Sequence, residues 1–315
     1  MAKYILKRIG YAVLTIWAVV TLTFIMMKAI PGNPFATEGS MSAASFANLM
    51  AFYKLDRPLH IQYLSFLKGV ITFDFGPSLV SSTLHPNYYL TRGLPVSMRL
   101  GFQALVVALV FGILLGIIAA LNHNRFGDYI STIVALVGVS VPSFIMARIL
   151  ITYFSVNLRW FPPAGWKSPI YSVLPTIALA ALPMAQITRL MRSSMLDVMS
   201  MDYIKTARAK GLSRTAIVVK HGVRNAILPI ISSLSTTATN LFTGSFVVEK
   251  IFGVPGMGDA LVKSVGNRDY PVIMMAAVVY SIIFIVITLA IDLLYPLIDR
   301  RIKLTGGVKL AAVDE

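Results

Sequence analysis

The chain has 315 residues, of which 57% are hydrophobic and 13% charged, whereas a soluble domain carries about 25% charged residues, so a water-soluble globule is excluded. The 28 Lys and Arg against 13 Asp and Glu give a net charge of +15, which together with the apolar content indicates a membrane protein rather than a nucleic-acid-binding one. No cysteine occurs, which excludes disulfides, thiolate metal ligands and a cysteine nucleophile, and the four histidines show no metal-ligand spacing.

Six stretches long enough to cross a membrane contain no Asp, Glu, Lys or Arg. A transmembrane helix needs about 20 predominantly apolar residues, and lipid tolerates no unpaired backbone along such a run. The windows, numbered first to sixth in chain order, are 9–27, 100–121, 129–147, 168–188, 225–248 and 270–291. The sequence therefore predicts an all-α polytopic membrane protein with six transmembrane helices.

The first window follows Lys3, Lys7 and Arg8, a pattern that a secretory signal also shows. Its uncharged run exceeds the usual apolar region of a signal peptide, which is about 7–15 residues, and residues 26–30 offer no small-residue cleavage site. We therefore expect it to be retained as the first span.

The distribution of Lys and Arg predicts the orientation, because cytoplasmic loops hold the excess. With the N-terminus inside, the inner segments hold 16 of these residues and the outer segments hold 11. Both termini are therefore expected in the cytoplasm. The predicted organisation is a cytoplasmic N-terminus and first span (1–30), an extracytoplasmic segment (31–96), a five-span core (97–298) containing a cytoplasmic loop (189–224), and a cytoplasmic tail (299–315).

The extracytoplasmic segment is predicted to contain two short helices. Ser42 is a candidate N-cap of an amphipathic helix whose apolar positions are Phe46, Leu49, Met50 and Tyr53. A second helix is expected near residues 60–70, after the turn at 56–58. Together they predict a small external cap.

The second and third windows carry features that favour packing and anchoring. Small residues recur every fourth position in the second window, which favours close approach of a neighbouring helix rather than substrate contact: Ala104, Ala108, Gly112, Gly116 and Ala120. Arg148, at the end of the third window, and Asp292, at the end of the sixth, are the charges nearest to membrane depth, and we interpret both as anchors near the membrane surface.

The cytoplasmic loop 189–224 predicts a short helix with clear ends. Ser200 is a candidate N-cap, and Asp202 lies in the first turn, where the helix dipole favours an anion. Arg208 and Lys210 lie in the last turn, where it favours cations, and Gly211 is expected to stop the helix in a left-handed conformation.

The faces of this helix leave two interpretations open. Tyr203, Ile204 and Ala207 are expected on one face, whereas Lys205 and the other basic residues point elsewhere. A basic helix beside a membrane can lie on anionic lipid. It can equally be presented to a soluble cytoplasmic partner.

The fifth window is the richest in hydroxyl side chains. Ser232, Thr236, Asn240 and Gly244 recur every fourth residue and so share one face. Such hydroxyls can bond to backbone carbonyls or hold helices together. The alternative is that they line a water-filled pathway.

The loop at 202–212, D-Y-I-K-T-A-R-A-K-G-L, followed by K-H at 220–221 and R-N-A-I-L-P at 224–229, resembles the cytoplasmic signature of binding-protein-dependent ABC importer permeases. More narrowly it resembles the oligopeptide, dipeptide and nickel branch, most of all an oligopeptide permease. Further stretches carry the resemblance over residues 1–303: L-D-R-P at 55–58, D-F-G-P-S at 74–78, V-P-S-F at 141–144, E-K-I-F-G-V-P-G-M-G at 249–258 and R-D-Y-P at 268–271.

The chain departs from the general permease signature at four positions. Ala207 and Gly211 match it. Individual roles in contacting an ATPase are therefore not carried over to the departing residues, which are Lys205, Thr206, His221 and Arg224.

The resemblance implies a type I importer permease fold in a prokaryotic cytoplasmic membrane and a passive pathway subunit rather than an enzyme. It also implies a second homologous permease, two cytoplasmic ATPases that bind ATP and Mg, an external substrate-binding protein, and a peptide substrate or, as an alternative, a nickel complex. The chain itself has no phosphate-binding loop motif, and we expect it to bind no cofactor or metal. The residues expected to couple to the ATPase are Tyr203, Ala207, Arg208, Ala209, Lys210 and Gly211, and those expected to line the pathway are Ser232, Thr236, Asn240 and Gly244.

Two rival classes find no support in the residues. A stand-alone secondary transporter predicts intramembrane carboxylates and internal repeats, and neither is evident. An intramembrane hydrolase predicts a nucleophile motif or a metal motif, and neither H-E-x-x-H nor G-x-S-x-G occurs.

Overall fold

The computed structural model describes residues 2–29, 50, 56–78, 85–243 and 246–298, and no strand occurs among them. The described helices, labelled in chain order, are α1 (Ala2–Ala29), α2 (Leu59–Thr72), α3 (Leu94–Leu121), α4 (Phe126–Ser140), α5 (Ser143–Leu150), α6 (Val173–Ser200), α7 (Asp202–Ala209), α8 (Leu228–Phe242), α9 (Phe246–Ile251), α10 (Met257–Gly266) and α11 (Tyr270–Ile298). Shorter helical turns precede or extend several of them: Pro86–Tyr88 and Tyr89–Gly93 before α3, Ile151–Asn157 after α5, Pro169–Ser172 before α6, and Arg214–Ala216, Ile217–Val223 and Arg224–Ala226 before α8.

The centre of the fold is the contact between α3 and α6. A Cβ added at Gly112 would lie 2.9 Å from the Ile187 Cβ, and one added at Gly116 would lie 2.5 Å from the Met191 Cβ. Ala104, on the same stripe, is completely buried. Only residues this small let two helix backbones approach so closely, so the packing role predicted for the stripe is confirmed.

A second cluster joins α1 and α11 to α2. Val20 of α1 is buried together with Met275 of α11. The Phe24 ring stacks on Phe66 of α2 at 5.8 Å between centroids. The helix predicted near 60–70 is therefore confirmed as α2. The helix predicted from Ser42 to Tyr53 lies almost entirely outside the described residues.

Within the part of the chain that the structure describes, four helical stretches have the length and apolar composition to cross a membrane. They are Ile9–Met26, Pro86–Leu121, Pro169–Ser200 and Tyr270–Ile291, and they correspond to the first, second, fourth and sixth windows. A bent pair in the third window raises the number to five. Six spans and the orientation of the termini therefore stay predictions.

The third window, predicted as a single transmembrane helix, is instead a bent pair of helices. α4 and α5 meet at an angle of 110°. Val141 between them is extended, with φ −96° and ψ 115°, because a proline disfavours helical backbone in the residue before it. Pro142 thus breaks this span, and Arg148 lies exposed on the second limb. The Asp292 side chain lies outside the described residues.

The longest described helix in the fifth window is α8, with 15 residues. At 1.5 Å per residue it is about 22 Å long, shorter than the roughly 30 Å of a hydrocarbon core. Helical turns preceding it, with a break at Ile227, extend the run back to Arg214. This preceding part carries Arg214, Lys220 and Arg224, so it does not lengthen the apolar stretch.

Two of the predicted segment boundaries cut through continuous helical runs. The helical turns at 86–93 lead directly into α3, so the end of the segment 31–96 shares a helix with the second span. The first twelve residues of the loop 189–224 continue α6 to Ser200. Residues 299–315 lie outside the described residues.

Candidate functional site

α7 is a short helix at the end of the long helix α6. Asp202 lies in its first turn and Arg208 in its last, as the dipole argument predicted. Ser200 is not its N-cap, because the Ser200 hydroxyl donates to the Asp197 carbonyl at 2.7 Å and the capping position is occupied by the extended Met201. The sequence signal failed here because α6 continues through Ser200, which keeps that hydroxyl bonded to its own helix.

Gly211 ends this helix in a left-handed conformation, which confirms the prediction. Its φ is +77°, and the backbone N–H of Leu212 donates to the Ala207 carbonyl at 3.3 Å. A Cβ added at Gly211 would meet nothing within 4 Å. The glycine is therefore required for its backbone angle and not for space.

Two side chains fix α7 to the rest of the loop. Ile204 is completely buried and Ala207 is 5% exposed, and both pack against Ile217 and Met199. Tyr203, expected on the same face, is 45% exposed instead. Consecutive residues are about 100° apart around a helix, which turns Tyr203 away from the apolar cluster.

The outer face of α7 is uncovered and basic. Lys205 pairs with Asp202 at 2.8 Å, whereas Arg208 has no ion pair with any described residue. The remaining predicted coupling residues are also exposed: Ala209, Lys210 and Gly211. A helix anchored on one side and exposed on the other is suited to docking a partner through the exposed side.

A partly buried ion pair secures the same end of α6. Arg192 binds both carboxylate oxygens of Asp128, at 2.6 Å and 2.7 Å, and Asp128 lies in the first turn of α4. The backbone N–H of Asn124 donates to the same carboxylate at 2.9 Å. Such a bidentate pair fixes orientation as well as distance, so it ties the turn between α3 and α4 to α6.

The polar residues of α8 form an exposed face. Ser232, Thr236 and Asn240 are all exposed, whereas Ala238 and Leu241, on other sides of the helix, are 2% and 4% exposed. The fourth residue predicted for this face, Gly244, lies outside the described residues. The Ser232 hydroxyl donates to the Pro229 carbonyl at 2.7 Å, which is the backbone bonding that the sequence also allowed. The exposed Asn240 amide suits contact with water or another polar surface.

Glu249 forms a buried site that the sequence analysis did not identify. Its side chain is completely buried in α9 and accepts hydrogen bonds from the Ser97 hydroxyl at 2.7 Å and the Gly258 backbone N–H at 2.9 Å. The Ser97 hydroxyl oxygen in turn accepts from the Met257 backbone N–H at 2.9 Å. The carboxylate thus joins α9, the first turn of α10 and the start of α3.

The glycines after Glu249 make room for its carboxylate. A Cβ added at Gly258 would lie 2.8 Å from Glu249 Oε2, and one added at Gly256 would lie still closer. Gly256 and Gly258, in the G-V-P-G-M-G stretch at 253–258, therefore have a packing function that the sequence alone did not indicate.

The chain matches two family models. Residues 112–304 match the binding-protein-dependent transport system inner membrane component, and residues 1–78 match the N-terminal model of the same kind of component. Among curated proteins it is 52% identical to the dipeptide transport system permease protein DppB of Bacillus subtilis over 304 residues, which covers 96% of this chain and 99% of that protein.

Two other relatives are similar over the same length. The chain is 40% identical to the dipeptide permease of Lactococcus lactis and 37% identical to the oligopeptide permease OppB of Haemophilus influenzae, in each case over 96% of this chain and 100% of that protein. Among solved structures, an inward-facing form of the MetNI methionine ABC transporter aligns with a TM-score of 0.55 at 18% identity, covering 67% of this chain and 96% of that one. An amino acid ABC transporter aligns with a TM-score of 0.52 at 17% identity, covering 69% and 95%.

Proposed function

Because the chain belongs to the family of binding-protein-dependent transport system inner membrane components, we propose that it forms one half of the membrane pathway of an ATP-driven importer whose cargo is dipeptides. It is the permease subunit of a peptide ABC importer in a prokaryotic cytoplasmic membrane and is not itself an enzyme. Its partners include ATPase subunits and a substrate-binding protein. The observation that supports this function is the exposure of α7. Ile204 and Ala207 anchor the helix, and its basic face is left uncovered.

The choice of dipeptides within the peptide importers rests on similarity. Identity is 52% and 40% with the two dipeptide permeases, against 37% and 36% with oligopeptide permeases. The oligopeptide preference expected from the sequence is the runner-up, and a nickel complex is the third candidate.

We propose that the exposed face of α7 docks on a cytoplasmic ATPase, which alone binds ATP and Mg. Four cations, at 205, 208, 210 and 214, lie on or just after α7 with only Asp202 opposing them. An acidic rim on the ATPase would complement them and orient the encounter. Movement of the docked helix would reach the membrane through α6. Met201 alone joins the two helices, and Met199 of α6 packs against the cluster that contains Ile204 and Ala207 of α7.

We propose that the polar face of α8 lines the pathway together with the matching face of a second, homologous permease. Ser232, Thr236 and Asn240 supply neutral donors and acceptors to a peptide backbone. Neutral groups bind no charged side chain tightly, which suits a pathway that must release varied peptides. The two termini are placed in the cytoplasm, and the segment 31–96 on the side from which peptide arrives.

Peptide uptake by the purified importer tests the cargo. The chain, its natural partner permease, ATPases and binding protein are reconstituted in proteoliposomes, and radiolabelled dialanine and hexaalanine are supplied with ATP enclosed. We expect ATP-dependent uptake of dialanine to exceed that of hexaalanine by about tenfold, a difference of about 1.4 kcal/mol in the rate-limiting barrier. Equal uptake would favour the oligopeptide alternative, and uptake of neither would overturn the proposal.

Cysteine accessibility tests the pathway face in this cysteine-free chain. Single cysteines replacing Ser232, Thr236 and Asn240 are expected to react with small water-soluble thiol reagents, at rates that change when ATP is trapped, because alternating access opens one side as the other closes. Ala238→Cys is the matched control, since Ala238 is buried on the same helix, and it should stay unreactive. Protection of all three polar positions in every nucleotide state would assign them to helix packing.

A further inference from the structure

A small cavity lies at the start of α6, at the end opposite to α7. Its volume is about 240 Å³, below the roughly 300–1,000 Å³ of sites for drug-sized ligands. It therefore has room for a group of the size of one amino acid. The lining residues are Arg99, Trp166, Lys167, Ser168, Pro169 and Ser172.

The cavity brings together two cations without a counter-charge. Arg99 lies over the Trp166 ring with its guanidinium carbon 5.8 Å from the ring centroid. Among the residues that the structure describes, no carboxylate lies within ion-pair distance of Arg99 or Lys167. Two like charges lining one concave surface repel each other, and a bound anion would remove that repulsion.

The backbone at the start of α6 and the Trp166 ring also favour binding of a small anion. The helical turn Pro169–Ser172 runs into the 28 residues of α6, so the positive end of this helix dipole lies at the cavity. Trp166 is half-buried and supplies an apolar wall, while Arg99 and Lys167 are exposed and accessible from outside the protein. A carboxylate attached to a small apolar body fits this set of groups.

We propose that this cavity binds the C-terminal carboxylate of the peptide being imported. The inference rests on the proposed function, because it takes the cargo to be a peptide and this end of α6 to face outside. The terminal carboxylate is common to peptides of every sequence, so a site for it recognises the cargo without reading side chains. The bound peptide touches one end of α6, and α7 lies at the other end, about 42 Å away for 28 residues.

Thiol protection in the assembled importer tests the proposal. Ser168→Cys introduces one thiol at the cavity, and Ser168 makes no side-chain capping bond that the change would remove. Its rate of labelling by a neutral maleimide is measured in three separate samples, which contain millimolar dialanine, dialanine amide or ligand-free binding protein. Each sample is measured without nucleotide and again with trapped ATP. We expect dialanine to protect the thiol in at least one nucleotide state and the amide to leave it reactive.

Charge-removing variants complete the test. Arg99→Gln or Lys167→Gln in the Ser168→Cys background should raise the half-protecting dialanine concentration about tenfold, as expected for loss of one charge-assisted hydrogen bond. Arg92→Gln is the matched control, because Arg92 is exposed near the same end of the α3 run but does not line the cavity. It should change that concentration by less than about twofold, which is smaller than the effect of losing one hydrogen bond.

Three results would overturn the proposal: equal protection by acid and amide, protection by neither, or protection by the binding protein alone. The last would mean that the carboxylate comes from the binding protein. Failure of the proposed function would instead abolish dialanine uptake by the unmodified importer, so the two failures are distinguishable.

Discussion

Replacing Gly211 by valine is expected to reduce ATP-dependent peptide uptake about tenfold while the protein still reaches the membrane. The φ of +77° at this position is strained for any residue with a Cβ and most of all for a β-branched one. A left-handed residue costs about 1–2 kcal/mol, which is about tenfold in the population of the native helix end. Because α7 is the proposed contact with the ATPase, uptake and substrate-stimulated ATP hydrolysis should fall together.

Because the space around Gly211 is open, the effect of the backbone angle can be separated from a steric effect. A Cβ there meets nothing within 4 Å, so a loss of activity reports the backbone angle and not a steric clash. Gly211→Asn is the matched control, since asparagine adopts left-handed backbone readily, and it should retain most of the uptake. If valine transports as well as glycine, or if asparagine fails as badly as valine, the coupling role assigned to this helix end is wrong.

A variant in the anchored face of α7 would not isolate coupling in this way. Ile204 is completely buried against Ile217 and Met199, and truncating a buried isoleucine to alanine costs about 2–5 kcal/mol of stability. Loss of uptake would then report unfolding of the loop. Gly211 is the better probe because its exposed position leaves the apolar cluster untouched.

A structural feature could be predicted from the sequence where its cause lies in residues that are close together in the chain. The left-handed end at Gly211 and the dipole partners Asp202 and Arg208 follow from a few adjacent residues, and they were predicted. The bend at Pro142 also has a local cause. It was not predicted, because the transmembrane windows were defined by the absence of charged residues, and that criterion takes no account of a proline. Ser200 failed as a cap for a related reason, since only the structure shows that α6 continues through it.

The Glu249 site could not be predicted from one sequence because its partners are distant in the chain. Ser97 is 152 residues away from Glu249 and belongs to another helix. Nothing in the spacing of 249–258 says that the following glycines fold back over the carboxylate. The exposure of Tyr203 is a second example. The sequence placed Tyr203 on the face of Ile204 and Ala207, but the cluster with Ile217 buries only the last two, and Tyr203, about 100° away from Ile204 around the helix, stays exposed.

Glu249→Ala is expected to lower the free energy of unfolding by several kcal/mol. It leaves the Ser97 hydroxyl and the Gly258 N–H without their acceptor, at about 1–3 kcal/mol for each buried donor. Glu249→Gln should cost less, because its carbonyl oxygen still accepts from one of the two donors while its NH₂ group opposes the other. Thermal unfolding in detergent, followed by intrinsic tryptophan fluorescence, measures both changes.

The close fit of Gly256 against this carboxylate allows a sharper test. A Cβ at Gly256 would run into Glu249 Oε2, so Gly256→Ala should also lower the unfolding temperature, whereas Gly266→Ala, where nothing lies within 4 Å, should not. If the clash is with the carboxylate, truncating Glu249 gives the new methyl group space. The double variant Glu249→Ala with Gly256→Ala should then be hardly less stable than Glu249→Ala alone, a coupling of about 0.5–3 kcal/mol between contacting residues. Losses that simply add would mean that Gly256 is required for its backbone or for Ser97 and not for the space that Glu249 occupies.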